Sequence, residues 1–233
     1  MLVAMKLQPV RSFGRLSATA IFTVGWFILP VAAQQKANPN RWERDITAYE
    51  VADKTNAPPK GAVVFVGSSS IRKWQTLAED FAGITVIGRG FGGSQLGDSV
   101  RYADRIVLPY EPKTVVLYAG DNDLAAGKSP EQVCADFKAF VAKIHAKQPK
   151  TRIAYVSIKP STKRWTLIEK IKQANRLIKE FAQSDPRLLY IDIFTLMLGP
   201  DGKPRAELLA ADGLHLTREG YRLWASVIRP ALN

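Results

Sequence analysis

The sequence predicts an α/β protein built on a parallel sheet, and three observations carry that prediction. Five short runs rich in apolar and β-branched residues recur along the chain: VVFV at 63–66, ITVI at 84–87, TVVLYA at 114–119, RIAYVSI at 152–158 and LLYIDI at 188–193. Their apolarity is continuous rather than alternating, as expected of strands buried on both faces. Helical periodicity fills the intervals, so strand and helix alternate and the crossovers favour parallel pairing. The expected architecture is α/β/α in three layers around a five-stranded parallel sheet.

The first 33 residues stand apart. Lys6, Arg11 and Arg15 occur there without an acid, followed by LSATAIFTVGWFILPVAA from Leu16 to Ala33 and then QQKANPN. A basic segment, an apolar stretch and small residues at Val31 and Ala33 predict a signal peptide over residues 1–33, cleaved after Ala33. The apolar run, about 18 residues long, also sits at the lower edge of spanning length, so an uncleaved anchor over 16–33 is the alternative. Ser17, Thr19 and Thr23 dilute the run and favour cleavage, and no cysteine follows it for lipid attachment. Either reading places the working domain outside the cytoplasm, periplasmic or secreted. Residues 34–60 then read as an N-terminal extension and 61–233 as the folded domain.

In chain order, the first run ends in GSSS at 67–70 and leads into the helical segment IRKWQTLAEDF, for which Ser70 or Ser68 supplies a cap. The second ends in GRGFGG at 88–93, and the third in GDND at 120–123. Beyond it, Ser129 caps a helix with Pro130 at its first position and Gln132 completing a capping box. Val133, Phe137, Phe140, Val141 and Ile144 share one face of that helix. The fourth run leads into KPSTKRW and a helix whose Leu167, Ile168, Ile171, Leu177, Ile178 and Phe181 repeat the pattern. The fifth precedes a longer segment ending in DGLHL and a last helix starting near Thr217, carrying Tyr221, Leu223, Trp224, Val227 and Ile228. Ligands of open α/β sheets lie outside the carboxyl ends of the strands, so the segments after each run are the candidates for function.

The chain has 233 residues, 46% hydrophobic and 23% charged, which suits one globular domain. Its formal charge is +12, and removing Lys6, Arg11 and Arg15 leaves +9. The basic residues are dispersed among acids along helices and do not interleave with aromatics as nucleic-acid strand binders require. Together with export, this reads against nucleic acid and toward solvated helix faces, with a weak tendency toward anionic envelope surfaces. Cys134 is the only cysteine, which excludes an intramolecular disulfide or a thiolate cluster, and its setting in SPEQVCADFKAFVAKIH reads as a buried thiol.

Two histidines could act as a base near neutral pH. His145 lies at a helix end among lysines, where a cation is favoured without any chemistry. His215 sits in ADGLHLT with Asp212 three residues earlier, and a carboxylate at Nδ1 would leave Nε2 free to deprotonate a hydroxyl. Ser69, at a strand-to-helix turn, supplies that hydroxyl. Oxyanion donors are available from the Ser69 N–H, from the backbone at Gly93 and from the Asn122 amide. Each residue alone is a common loop residue; their joint placement at four strand ends carries the inference.

The chain therefore resembles the SGNH (GDSL-type) hydrolase superfamily of esterases and lipases. GSSS at 67–70, GFGG at 90–93, GDND at 120–123 and DGLH at 212–215 match its four blocks in order across the mature domain. The short GxND block and the spacing look nearest to the platelet-activating-factor acetylhydrolase-like branch. The resemblance implies a flavodoxin-like fold and a serine esterase with Ser69, Asp212 and His215 as triad and Ser69, Gly93 and Asn122 as oxyanion hole. No cofactor is implied, and the expected substrate is a small-molecule or polymer-linked ester; a compact chain with no evident lid insertion fits a short acyl chain on a sugar, aryl or lipid alcohol better than long-chain lipase action. Two positions depart from the pattern: Ser68 stands where the family usually has aspartate, and Arg89 precedes Gly90 where asparagine is common.

Other readings are weaker. GRGFGG fits a dinucleotide fingerprint literally, but it follows the second strand, and the next strand-end acid, Asp121, lies well beyond the roughly 20-residue spacing. Asp121, Asp123, Asp192, Asp201 and Asp212 could be considered for a hard cation, yet no EF-hand loop or histidine pair accompanies them. Asp201 reads as a PDGK turn, Asp192 as a fold residue, and Asp123 as bonding its own loop. A non-catalytic binding domain for an acylated glycan or lipid, motivated by the altered GSSS block, is the alternative to the enzyme.

Overall fold

In the computed structural model, which describes residues 40–232, five strands form one sheet in the order β2-β1-β3-β4-β5. They are β1 (Val63–Gly67), β2 (Val86–Gly90), β3 (Thr114–Tyr118), β4 (Arg152–Val156) and β5 (Leu188–Ile191). Every neighbouring pair is parallel, so the expected class and strand count are those observed. The helices are α1 (Glu43–Thr55), α2 (Ser69–Arg72), α3 (Leu77–Asp80), α4 (Leu96–Ile106), α5 (Asp121–Ala125), α6 (Pro130–Lys147), α7 (Ile168–Ala182) and α8 (Arg218–Ile228). The expected signal peptide and its cleavage site lie outside the described residues. Among the described residues, no helix is long and apolar enough to cross a membrane.

Side chains alternate across the strands, and the two sets enter different cores. Val64, Val66, Val115, Leu117, Ile153 and Tyr155 join Ile106, Phe137, Phe140, Ile171 and Ile178 on the face covered by α4, α6 and α7. Val63, Phe65, Val116, Tyr118, Ala154 and Val156 join Trp74, Phe81, Trp224 and Ile228 on the other. Burial on both faces explains why the strands read as unbroken apolar runs.

Local signals fix the long helices. Ser129 and Gln132 form the expected capping box at α6, and Thr217 accepts the Gly220 N–H at the start of α8. Gln95 and Asp98 form a second capping box at α4, which the sequence reading did not identify. Cys134 is buried, as expected, and burial pushes its thiol up.

Three expectations are corrected. The run read as ITVI at 84–87 is a strand from Val86 to Gly90, because Gly88, Arg89 and Gly90 continue the ladder opposite Phe65, Val66 and Gly67. The IRKWQTLAEDF helix is two short pieces, α2 and α3, and neither Ser68 nor Ser70 makes a side-chain cap: Ser68 takes the cap position without that bond, and Ser70 lies inside α2. Most of the supposed N-terminal extension is built into the fold. Trp42 and Ile46 are buried in the core, Arg105 pairs with Glu43 and Glu50 of α1, and Arg89 pairs with Asp53. The Arg89 guanidinium lies between the rings of Tyr49 and Tyr110, 4.8 and 4.7 Å from their centroids. Burial and the neighbouring Asp53 push the Tyr110 hydroxyl up to about 12.

Trp224 closes the second core, fully buried with its ring 4.7 Å from Tyr118 and 6.1 Å from Trp74. Trp224→Ala should lower the unfolding free energy by about 3–5 kcal/mol, the usual cost of truncating a buried aromatic. Urea denaturation followed by circular dichroism checks it, and a loss below about 1 kcal/mol would contradict this packing.

Candidate active site

The carboxyl ends of β1, β2 and β3 lie level, with Gly67 opposite both Gly90 and Tyr118. Gly67 has φ +137°, and a Cβ there would stand 1.9 Å from the Tyr118 carbonyl oxygen, so only glycine lets β1 end this close to β3. The chain then turns directly into α2. Of the three serines, Ser68 and Ser70 are each 1% exposed, and Ser69 alone faces outward. The Ser68 Oγ is buried with no hydrogen-bond partner among the described residues.

Ser69 Oγ lies 3.0 Å from His215 Nε2, and His215 Nδ1 lies 2.5 Å from Asp212 Oδ2. The loop that brings them there is tied locally. Asp212 Oδ1 accepts the N–H groups of Leu214 and His215 at 3.0 and 2.9 Å, and the Ala210 N–H donates to the His215 carbonyl at 2.7 Å. The imidazole N–H and these two backbone N–H groups hold the Asp212 carboxyl well below the usual carboxylate range. Lys73 Nζ, a donor without acceptor capacity, also lies 3.2 Å from Nδ1. The shorter contact, to a carboxylate, has Nδ1–H donating to Asp212, which leaves Nε2 as the acceptor facing Ser69.

Gly93 has φ +78° and so occupies the left-handed region that favours glycine. Its loop is held from α1 and the residue before it: Trp42 Nε1 donates to the Gly92 carbonyl at 2.8 Å and the Tyr49 hydroxyl to that of Gly90 at 2.5 Å. Asn122 Nδ2 donates to the Ser94 carbonyl at 2.9 Å, which joins the second and third strand-end loops. Asp123, expected to bond its own loop, does so through Lys128 and also reaches across to accept the Leu96 N–H.

Several residues of the site were not singled out from the sequence. Arg164 Nη2 donates to Asn122 Oδ1 at 2.7 Å, and its Nη1 ion-pairs with Asp121 Oδ2 at 2.9 Å. Lys159, 2% exposed, lies 3.3 Å from the same carboxylate oxygen and donates to the Tyr118 hydroxyl at 3.0 Å. Burial draws the Asp121 carboxyl upward, but Lys159 and Arg164 outweigh it and hold it below its ordinary value. Burial lowers the Lys159 ammonium. The available signal was a lysine directly after an apolar strand, in KPSTKRW. Trp165 carries Lys203 Nζ 4.5 Å from its ring centroid, and Trp74 is core packing whose Nε1 donates to Asp80.

Asp192 and Asp201, weighed for a cation, accept N–H groups of their own turns from Thr195 and Lys203. His145, half-buried rather than on the surface, sits 2.9 Å from the Thr151 carbonyl through Nε2. A cleft of about 430 Å³ flanks His215, lined by Lys73, Gln75, Thr76, Leu216, Arg218 and Tyr221. A hydroxyl, an imidazole and a carboxylate in series at the carboxyl end of a parallel sheet can carry out acyl transfer.

Comparison with known proteins agrees with this chemistry. The GDSL-like lipase/acylhydrolase family model matches residues 29–223. The chain is 27% identical over 197 residues to human platelet-activating factor acetylhydrolase IB subunit alpha1, covering 82% of this chain and 83% of the relative. In fold it is similar to a GDSL-like lipase of Bacteroides thetaiotaomicron, with TM-score 0.71, 22% identity and coverage of 80% and 96%. It is also similar to a family 3 carbohydrate esterase of Clostridium thermocellum, with TM-score 0.60, 18% identity and coverage of 74% and 98%. With a matched span that takes in α1, the whole sheet and most of α8, the chain belongs to the GDSL-like lipase/acylhydrolase family and is an ester hydrolase.

Proposed function

We propose that the chain is an exported serine esterase with Ser69 as nucleophile, His215 as base and Asp212 as orienting carboxylate. The observation that carries this reading is the continuous contact from Ser69 Oγ through the imidazole to Asp212, at 3.0 and 2.5 Å. His215 Nε2 takes the Ser69 proton as Oγ attacks the ester carbonyl, and Asp212 balances the imidazolium. The oxyanion is received by the N–H groups of Ser69 and Gly93 and by the Asn122 amide. The tetrahedral intermediate collapses, the alcohol leaves with the proton from Nε2, and water, deprotonated by His215, hydrolyses the acyl-enzyme.

Ser69→Ala and His215→Ala should each lower kcat on the order of 10⁴- to 10⁶-fold while leaving the fold intact. A fluorophosphonate should label Ser69 in the wild type. Near-native turnover in either purified variant, or no adduct on Ser69, would sink the assignment and favour a binding domain instead.

A short acyl group on a small alcohol is the substrate class we favour, because the cleft that flanks His215 holds only about 430 Å³. Across p-nitrophenyl esters from acetyl to palmitoyl, kcat/KM should be highest at the short end; a maximum at palmitoyl would overturn this.

Export rests on the basic and apolar pattern of residues 1–33. Protein recovered outside the cytoplasm should begin at Gln34. An intact N-terminus in the soluble cytosolic fraction would contradict export.

A further inference from the structure

The buried charges behind Asn122 have no part in the reaction steps above, and they are costly to place there. Asp121 is 5% exposed and Lys159 2% exposed. Buried ion pairs are on balance weak contributors to stability relative to apolar packing, because both charges lose their hydration. Here one carboxylate oxygen, Asp121 Oδ2, meets both Lys159 at 3.3 Å and Arg164 at 2.9 Å. What the group accomplishes is visible at its outer end, where Arg164 Nη2 donates to Asn122 Oδ1 at 2.7 Å.

An asparagine amide has an acceptor end and a donor end, and it can rotate to exchange them. The two partners of Asn122 cannot be exchanged. Arg164 only donates, and the Ser94 carbonyl, 2.9 Å from Nδ2, only accepts. A flipped amide would set oxygen against oxygen and N–H against N–H, losing both bonds. The pair therefore fixes one orientation and leaves the second Nδ2 hydrogen uncommitted to Ser94. Arg164 is itself held by Asp121, the residue directly before Asn122, so the clamp is anchored on the element it orients.

The same segment reaches the other half of the site. The Lys163 N–H and the Thr162 hydroxyl donate to the Gly213 carbonyl at 3.0 and 3.1 Å, inside the loop between Asp212 and His215. Residues 159–165 thus touch both the amide and the histidine loop.

We propose that Arg164 is a positioning residue for ester hydrolysis: held by Asp121, whose carboxylate also takes Lys159, it locks the Asn122 amide so that a fixed N–H meets the oxyanion. The inference rests on the serine esterase reading and sharpens it. A preorganised donor is effective because it needs no reorientation as charge develops, and losing one oxyanion donor typically costs about 10²- to 10³-fold in kcat. An amide freed to rotate keeps part of that effect, so Arg164→Ala should lower kcat roughly 10- to 100-fold, with KM changed by less than about threefold.

The decisive experiment is a double-mutant cycle with Asn122→Ala in the full chain, after fluorophosphonate labelling of Ser69 has been established in the wild type. If Arg164 acts through the amide, Arg164→Ala costs little or nothing further in the Asn122→Ala background. Added guanidinium should restore part of kcat to Arg164→Ala and none to Asn122→Ala. Additive losses in kcat, or a rise in KM with kcat unchanged, would overturn the proposal while leaving the Ser69 assignment standing. Absence of Ser69 labelling in the wild type would instead remove the esterase reading itself. Should Arg164→Ala fail to fold, Arg164→Lys enters the same cycle, since an ammonium keeps the charge opposite Asp121 but lacks the planar two-armed fork.

Discussion

The level carboxyl ends of the three strands β2, β1 and β3 are the constraint on which the site depends. Parallel ladders place Gly67 opposite Gly90 on one side and Tyr118 on the other. Every residue two to four positions beyond those points is thereby confined to one edge of the sheet, at the crevice where strand order reverses around β1. Glycine at 67 is needed because the Tyr118 carbonyl occupies the space a side chain would take. The sheet also buries both faces of its central strands, so its position is set by two cores rather than one.

Around that edge, loops with few contacts of their own are held by polar bonds from elsewhere in the chain. The Gly90–Gly93 segment receives Tyr49 from α1 and Trp42 from just before it, and Arg89, the residue preceding the segment, anchors α1 through Asp53. The histidine loop is tied internally by Asp212 and externally by Thr162 and Lys163. Asn122 joins the β2 and β3 loops through Ser94, while Arg164 brings in the loop after β4. The site is a junction of four connections, joined to one another and to α1 by these polar bonds.

Much of this was legible in the sequence because it is local. The unbroken apolar runs report two-sided burial, the Ser129, Pro130 and Gln132 triplet reports a helix start, and Asp212 three residues before His215 reports a turn that can orient an imidazole. Other features were misread because local patterns permit several outcomes. The serines after β1 look like helix caps although neither Ser68 nor Ser70 makes that bond, and GRG looks like a post-strand loop until Gly88 and Gly90 are seen paired in the ladder. The α1 segment has little apolar patterning, and its attachment relies on Trp42, Ile46 and charges that find partners far along the chain.

By itself, the sequence determined the alternation of strand and helix, the capped starts of α6 and α8, and the set of residue types brought to the strand ends. Those follow from side-chain volume, polarity and spacing over a few residues. The tertiary structure alone decided that Trp74 belongs to a core, that α1 is built into the fold, and that Arg164 reaches the Asn122 amide. The bond between Ser69 and His215 spans 146 positions and that between Arg164 and Asn122 spans 42. Contacts of that range depend on how the strands are ordered and how level their ends lie, and no local pattern of residues encodes either.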